Sequence, residues 1–187
     1  MTTAELTHPK ARTKRLWTYA EMMAELPEIN LTVELWNGEI IISPAPHPNH
    51  QLIVGSFYKI LDEYIERQKL GQVFVSPVDV VLTPRRVVQP DVLFISQARL
   101  GIVKDCIDGV PDLAMEVISE HSWQRDRIEK KALYEQAGLP EYWIVDPQSE
   151  TIEVFASYHL YCRATRSQKA KSKLLPGFGI SFKELLR

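Results

Sequence analysis

Two acids in this sequence occupy positions where a carboxylate is costly. Asp91 lies in the β-like run Val87 to Ile95, and Glu116 lies in the next one, Leu113-Ala-Met-Glu-Val-Ile118. An uncompensated carboxylate inside an apolar strand costs several kcal/mol to desolvate. The plain account is that each acid faces solvent or pairs with an arginine. The chemical account is that carboxylates on adjacent strands point to the same side and converge on a hard divalent cation. Mg²⁺ favours one or two carboxylates with carbonyls and waters. Such a cation stabilises charge on a phosphoryl oxygen and acidifies a bound water.

A second set follows on the next helical segment. Asp126 and Lys130 are four residues apart and share one helix face, which Tyr134 continues. They form either an exposed ion pair worth a few tenths of a kcal/mol or a lysine aimed at the Asp91–Glu116 centre, where its ammonium orients water or neutralises phosphate. Lys131 is the neighbouring candidate, about 100° around the helix. Asp79, in Pro77-Val-Asp-Val-Val81, is a further strand acid that would face the same cleft. Ser119 and His121 have no triad geometry and no nucleophile elbow. Tyr142-Trp143 reads as core packing rather than a base-stacking platform.

The elements that must position these groups can be read in order. Residues 1–15 are polar and basic, without apolar period, and are expected to form a flexible arm; residues 16–187 are expected to form one domain. Trp17 to Leu26 predicts a short helix after Thr18, ending at Pro27. Asn37-Gly38 between two apolar strands is a strong hairpin signal. From Asn49 to Lys69 apolar residues recur at three- and four-residue intervals, with Gly71 as the stop. β-like segments follow at Val73–Leu82, Val87–Ile95 and Leu113–Ile118, then a helix from Trp123 to Ala137 and a strand at Tyr142–Val145. Ile152–Phe155 and Tyr158–Cys162 extend the sheet, and a short helix at Phe182–Leu186 closes the chain. The middle therefore reads helix, strand, strand, strand, helix, strand, an α/β (α+β) pattern.

Composition narrows the class. The chain has 187 residues, 45% hydrophobic and 25% charged, which is ordinary globular usage. Apolar runs such as Ile40-Ile41-Ile42 are too short to span a bilayer, so no membrane association is expected. No signal peptide is visible at the start, and Cys106 and Cys162 make no disulfide framework or zinc pair. A cytoplasmic setting is expected. The net charge of −2 does not advertise nucleic-acid binding. Basic residues nevertheless cluster at Lys10, Arg12, Lys14 and Arg15, and again at Arg163, Arg166, Lys169, Lys171 and Lys173. These are either solubilising surface or phosphate-steering patches.

The succession Gln89-Pro-Asp-Val-Leu-Phe94, Pro111-Asp-Leu-Ala-Met-Glu-Val-Ile-Ser119, Asp126 to Lys130 with Tyr134, and Ala137-Gly-Leu-Pro-Glu-Tyr-Trp-Ile-Val-Asp-Pro147 resembles the Uma family. Members of that family are restriction-endonuclease-like proteins of the PD-(D/E)XK nuclease superfamily. The likeness runs from Val33-Glu-Leu-Trp-Asn-Gly-Glu39 to Leu175-Pro-Gly-Phe178. It implies an α-β-β-β-α-β core with a mixed sheet flanked by helices, preceded here by the β-hairpin. It implies a metal-dependent endonuclease hydrolysing DNA phosphodiester bonds, with Asp91 and Glu116 as metal carboxylates and the Val117 carbonyl as a further ligand. Glu34 and His50 are implied to lie near that centre, with Glu34 completing the shell. Mg²⁺, or Mn²⁺ in its place, is the expected cofactor, with no organic cofactor, and a homodimer would suit cleavage of two strands. The pattern departs at one position: the lysine expected two residues after the glutamate is Ile118, and Lys130 is the candidate replacement. The alternative is a nuclease-fold module, weak or inactive in catalysis, that binds nucleic acid or a protein.

Overall fold

The computed structural model describes residues 15–26, 31–119 and 125–186, without the side chains of residues 125 and 126. The predicted arm, residues 1–14 in the main, and His121 lie outside the described residues, as does the side chain of Asp126.

Helix α1 (Tyr19–Glu25) starts where Thr18 and Glu21 cap each other reciprocally. Strands β1 (Thr32–Trp36) and β2 (Glu39–Ser43) form the predicted hairpin, and both turn residues, Asn37 and Gly38, take the positive φ that a two-residue turn demands. Helix α2 (Pro48–Gln68) begins with proline in its first turn and ends on Lys69 in the left-handed conformation. Gly71 is therefore not the stop. It opens strand β3 (Gly71–Val75) at φ +150°, and any Cβ there would collide with the Ile95 carbonyl of the neighbouring strand.

Two long β-like segments of the sequence each divide between two sheets. Val73–Leu82 splits into β3 and β4 (Val80–Thr83), and Val87–Ile95 splits into β5 (Arg86–Val88) and β6 (Val92–Ser96). Pro77 and Pro90 stand in the two breaks, where a residue without an N–H cannot continue a ladder. Asp91 therefore sits at the entry to β6 rather than inside a strand. A 3₁₀ turn (Gln97–Ile102) and the two-residue strand β7 (Ile107–Asp108) lead to β8 (Leu113–Val117), which is buried throughout. A wide π-helical stretch (Arg125–Lys130) runs into α3 (Lys131–Ala137). Then come β9 (Glu141–Asp146), β10 (Thr151–Ala156), β11 (His159–Thr165), β12 (Lys169–Lys171), β13 (Gly179–Ser181) and α4 (Phe182–Leu185).

One mixed sheet has the order β11-β10-β9-β8-β6-β3, with β8 and β9 parallel and the other neighbours antiparallel. The second sheet has the order β2-β1-β5-β4-β7. The predicted α-β-β-β-α-β core is present as α2, β3, β6, β8, α3 and β9. The second sheet was not foreseen as a separate layer.

Alternation along β8 sorts the interior. Leu113, Met115 and Val117 face a core built with Phe57, Leu61 and Trp143, covered by α2 and α4. Ala114 and Ile118 face the opposite core, with Val80, Val88, Leu133 and Tyr134 from the second sheet and α3. Glu116 shares that second face by parity. A third cluster, Met22, Leu35 and Val87, seats α1 on the far side of the second sheet. Tyr142 and Trp143 are core residues, as read from the sequence.

Candidate active site

Glu116 is 3% exposed, in the middle of an apolar strand, so its charge has to be answered locally. Lys130 Nζ lies 2.7 Å from its Oε1, and the Tyr134 hydroxyl donates to the same oxygen at 3.2 Å. Lys130 and Tyr134, four apart, thus do share one helix face, and that face is turned inward. Lys130 Nζ also stands 3.1 Å from Glu34 Oε1. Glu34, 1% exposed on β1, accepts the Gln89 backbone N–H at 2.9 Å on that same oxygen. One ammonium is held between two buried carboxylates that come from different sheets.

Asp91 is brought to this centre by the β6–β8 register. Val92 stands opposite Met115, which places Asp91 beside Glu116 one step beyond the strand. Its Oδ2 accepts the Val117 backbone N–H at 2.8 Å and lies 3.2 Å from His50 Nε2. Both contacts fall on Oδ2, so Oδ1 carries neither. His50 belongs to the first turn of α2, immediately after the Pro-rich break. Of the sequence candidates, Asp91, Glu116, Val117, Lys130, Glu34 and His50 are brought together. Val117 enters through its N–H, which orients Asp91.

Two candidates stand elsewhere. Asp79 is bonded by the Tyr19 hydroxyl at 2.9 Å and by Gln89 Nε2 at 2.7 Å, and so ties α1 to the strand break. Lys131 places its Nζ 4.8 Å from the centre of the Phe155 ring. Ile118, at the position of the expected lysine, is buried on the Glu116 side of the sheet against Leu133 and Tyr134.

The helix carrying Lys130 is pinned from below. Arg127 bonds Glu153 at 2.6 Å and approaches Asp146 at 3.5 Å, while the Tyr134 ring packs on Tyr142 with centroids 5.0 Å apart. The wide turn ends at Lys130; such turns recur at functional sites. Sequence reasoning missed Gln89, whose backbone holds Glu34 and whose side chain holds Asp79. The only sequence signal for it is its place before Pro90-Asp91.

The donor set suits a hard divalent cation, since Asp91 and Glu116 offer carboxylate oxygens and the remaining positions can be carbonyl, water or phosphate oxygen. Among the described residues no group of three or more His, Cys, Asp or Glu side chains is placed to hold a metal ion together.

The six-stranded mixed sheet with this buried acid cluster at the end of its central parallel pair places the molecule among nuclease-like folds. A crystal structure of a putative nuclease belonging to DUF820 from Anabaena variabilis ATCC 29413 superposes with TM-score 0.77 over 90% of this chain and 97% of that one, at 18% identity. The chain belongs to the Uma2 family, described as "Putative restriction endonuclease", whose family model matches residues 20–183. No curated protein matches. Among the described residues no helix is long and apolar enough to cross a membrane.

Proposed function

We propose that the protein is a divalent-metal-dependent endonuclease that hydrolyses DNA phosphodiester bonds, with Mg²⁺ as its metal and Mn²⁺ as a substitute. The observation that carries this reading is the convergence of Asp91, Glu116 and Lys130 at the end of β8, from three separate elements, around a buried carboxylate. Asp91 and Glu116 would hold the cation, with the Val117 carbonyl beside them. The cation supplies Lewis acidity toward a phosphoryl oxygen and a more acidic water.

The chain's own groups do the rest. The Val117 N–H and His50 fix the orientation of Asp91. Lys130, shared by Glu116 and Glu34, presents an ammonium that can turn to a phosphate oxygen or orient the attacking water. Glu34 and the Tyr134 hydroxyl hold that ammonium and its partner in place. A pair of copies would supply one such centre per DNA strand. The free thiols of Cys106 and Cys162 accord with a reducing, cytoplasmic setting.

A second reading has its own observation. Glu116 Oε1 is already taken by Lys130 and Tyr134, and Ile118 fills the usual lysine position with core. A closed ion-pair cluster of this kind fits a nuclease-fold module that binds without cutting.

Nicking of supercoiled DNA with Mg²⁺ or Mn²⁺ separates the two. The enzyme reading expects metal-dependent nicking that Asp91→Ala and Glu116→Ala each reduce at least a hundredfold, with Lys130→Met also impaired. If the wild type cuts no form of DNA with either metal, the enzyme reading is lost. Cleavage that persists in both alanine variants would instead remove the site assignment. Titration calorimetry with Mn²⁺ gives an independent check, since heat of binding should vanish in Glu116→Ala.

A further inference from the structure

The free side of β2 differs from the other sheet margins. Exposed edges are usually blunted by shortness, charge or a covering helix. β7 is two residues long, α2 packs against β3, and β11, although it exposes Leu160 and Tyr161, carries His159 and Arg163 and runs beside β12. β2 reads Glu39-Ile-Ile-Ile-Ser43, with one charge at its start and none after it. Ile42 is 52% exposed, and Ile40 and Ile41 are partly so. Among the described residues β2 pairs with β1 alone.

Hairpin parity says which backbone groups face outward. In a two-residue hairpin the closing pair exchanges both hydrogen bonds, here Trp36 with Glu39, and bonded pairs alternate from there. Glu39, Ile41 and Ser43 therefore bond β1, whereas Ile40 and Ile42 direct N–H and C=O to the open edge. The Ile40 side chain lies on the α1 face, packed on the Leu35 cluster, and Ile42 shares that parity. Ile41 lies opposite Glu34 and on its face.

We propose that a second copy of this chain pairs along β2, antiparallel, about a two-fold axis through Ile41. In that register Ile40 bonds the partner's Ile42, and Ile42 the partner's Ile40, so all four outward-facing amide groups of each copy's pair of isoleucines find partners. Glu39 comes opposite the partner's Ser43, so no like charges are directly opposed. Ile40 and Ile42 of both copies meet as one apolar cluster on the α1 face. The strand is thus complementary to itself, as an isologous interface requires. A basic partner strand would find only Glu39 to meet it.

The pairing has a consequence for the site. Ile41 and Glu34 are register partners, so the two copies of Glu34, each against its Lys130, fall on the same face of the joined sheet. Three interstrand spacings separate them, about 14 Å. The pairing would thus set the two centres side by side, as cleavage of both strands of one duplex by two copies would need. This consequence rests on the nuclease reading; the pairing does not.

The test is mass in solution for the full chain, by light scattering on a sizing column. Wild type is expected at twice the 21.5 kDa chain mass. Ile41→Lys and Ile41→Glu place like charges face to face on the axis, so each alone is expected at single-chain mass with unchanged far-UV circular dichroism. Mixing the two variants in equal amounts is expected to restore double mass, because Lys then meets Glu. A wild type of single-chain mass at high micromolar concentration overturns the proposal, as does an Ile41→Lys variant that stays dimeric. Two single-chain variants that fail to reassociate on mixing overturn the register through Ile41. None of these outcomes depends on DNA cleavage.

Discussion

Replacing Lys130 by methionine, which matches its length without its charge, should destabilise the protein more than any surface substitution. Lys130 is 6% exposed and its ammonium stands 2.7 Å and 3.1 Å from oxygens of Glu116 and Glu34. Those contacts keep the two oxygens within about 6 Å of each other, so at an effective dielectric of ~20 their bare repulsion is about 3 kcal/mol. Loss of the bond to each carboxylate adds to that, in line with the ~3–5 kcal/mol measured when one partner of a buried pair is removed. For a chain of this size each kcal/mol moves Tm by roughly 2–4 °C, so Lys130→Met should melt roughly 6–20 °C below wild type at pH 7. Urea unfolding gives the free energy directly. A double variant, Lys130→Met with Glu116→Gln, removes the surplus charge together with its partner and should recover about 1–3 kcal/mol through their coupling. A deficit below about 1 kcal/mol in the single variant, or no recovery in the double, would refute the picture of one ammonium holding two buried acids.

Two further predictions concern groups outside this centre. Glu141 is 1% exposed at the start of β9; it accepts Trp143 Nε1 and Ser172 Oγ on one oxygen and the Lys173 and Leu174 N–H groups on the other. Glu141→Leu strands four donors at once and should cost about 3–5 kcal/mol in urea unfolding; a loss under about 1 kcal/mol would show that water satisfies them. Tyr19 holds its proton well above its ordinary pKa of 10.0, first because it is buried and then because its hydroxyl bonds Asp79. A raised value means the folded state keeps a proton that the unfolded chain releases, so this stability is complete below pH 10 and is lost as pH rises beyond it. The stability margin of wild type over Tyr19→Phe should therefore be flat from pH 7 to 9 and shrink above pH 10, and a margin that grows there would reverse the sign of the argument.

Much of the frame was legible because it rests on local rules. Asn37-Gly38 fixes its turn by the sign of φ, Thr18 marks a helix start, and the apolar period of α2 has no competing reading. Two kinds of feature were not legible. The runs Val73–Leu82 and Val87–Ile95 look continuous in apolar period, yet each changes sheet midway, because Pro77 and Pro90 interrupt ladders that only the tertiary arrangement reveals. Gly71 has the look of a helix stop, whereas Lys69 takes the left-handed cap and Gly71 is needed for close approach to Ile95. The first error matters for chemistry, since it moves Asp91 from a strand interior to a strand entry. There its side chain can reach across to the Val117 N–H.

The departure at Ile118 follows from how the sheet is covered. A residue two after Glu116 points to the same face, and on this face the space above β8 is filled by Leu133, Tyr134 and the second sheet. A lysine there would have to bury its stem in that core and bend its ammonium back to Glu116. The covering helix supplies the lysine instead: the wide turn ending at Lys130 presents its ammonium to the carboxylate, followed one turn later by Tyr134. Spacing alone left Lys130 undecided between an exposed pair with Asp126 and an inward role, because both use the same helix face. What decides between them is which way that face turns, and this is fixed by residues far away in sequence: Arg127 held by Glu153 and Asp146, and the Tyr134 ring on Tyr142. Substitutions at Glu153 or Tyr142 should therefore disturb Lys130 without touching it, as expected when a site's geometry is set by the elements beneath it.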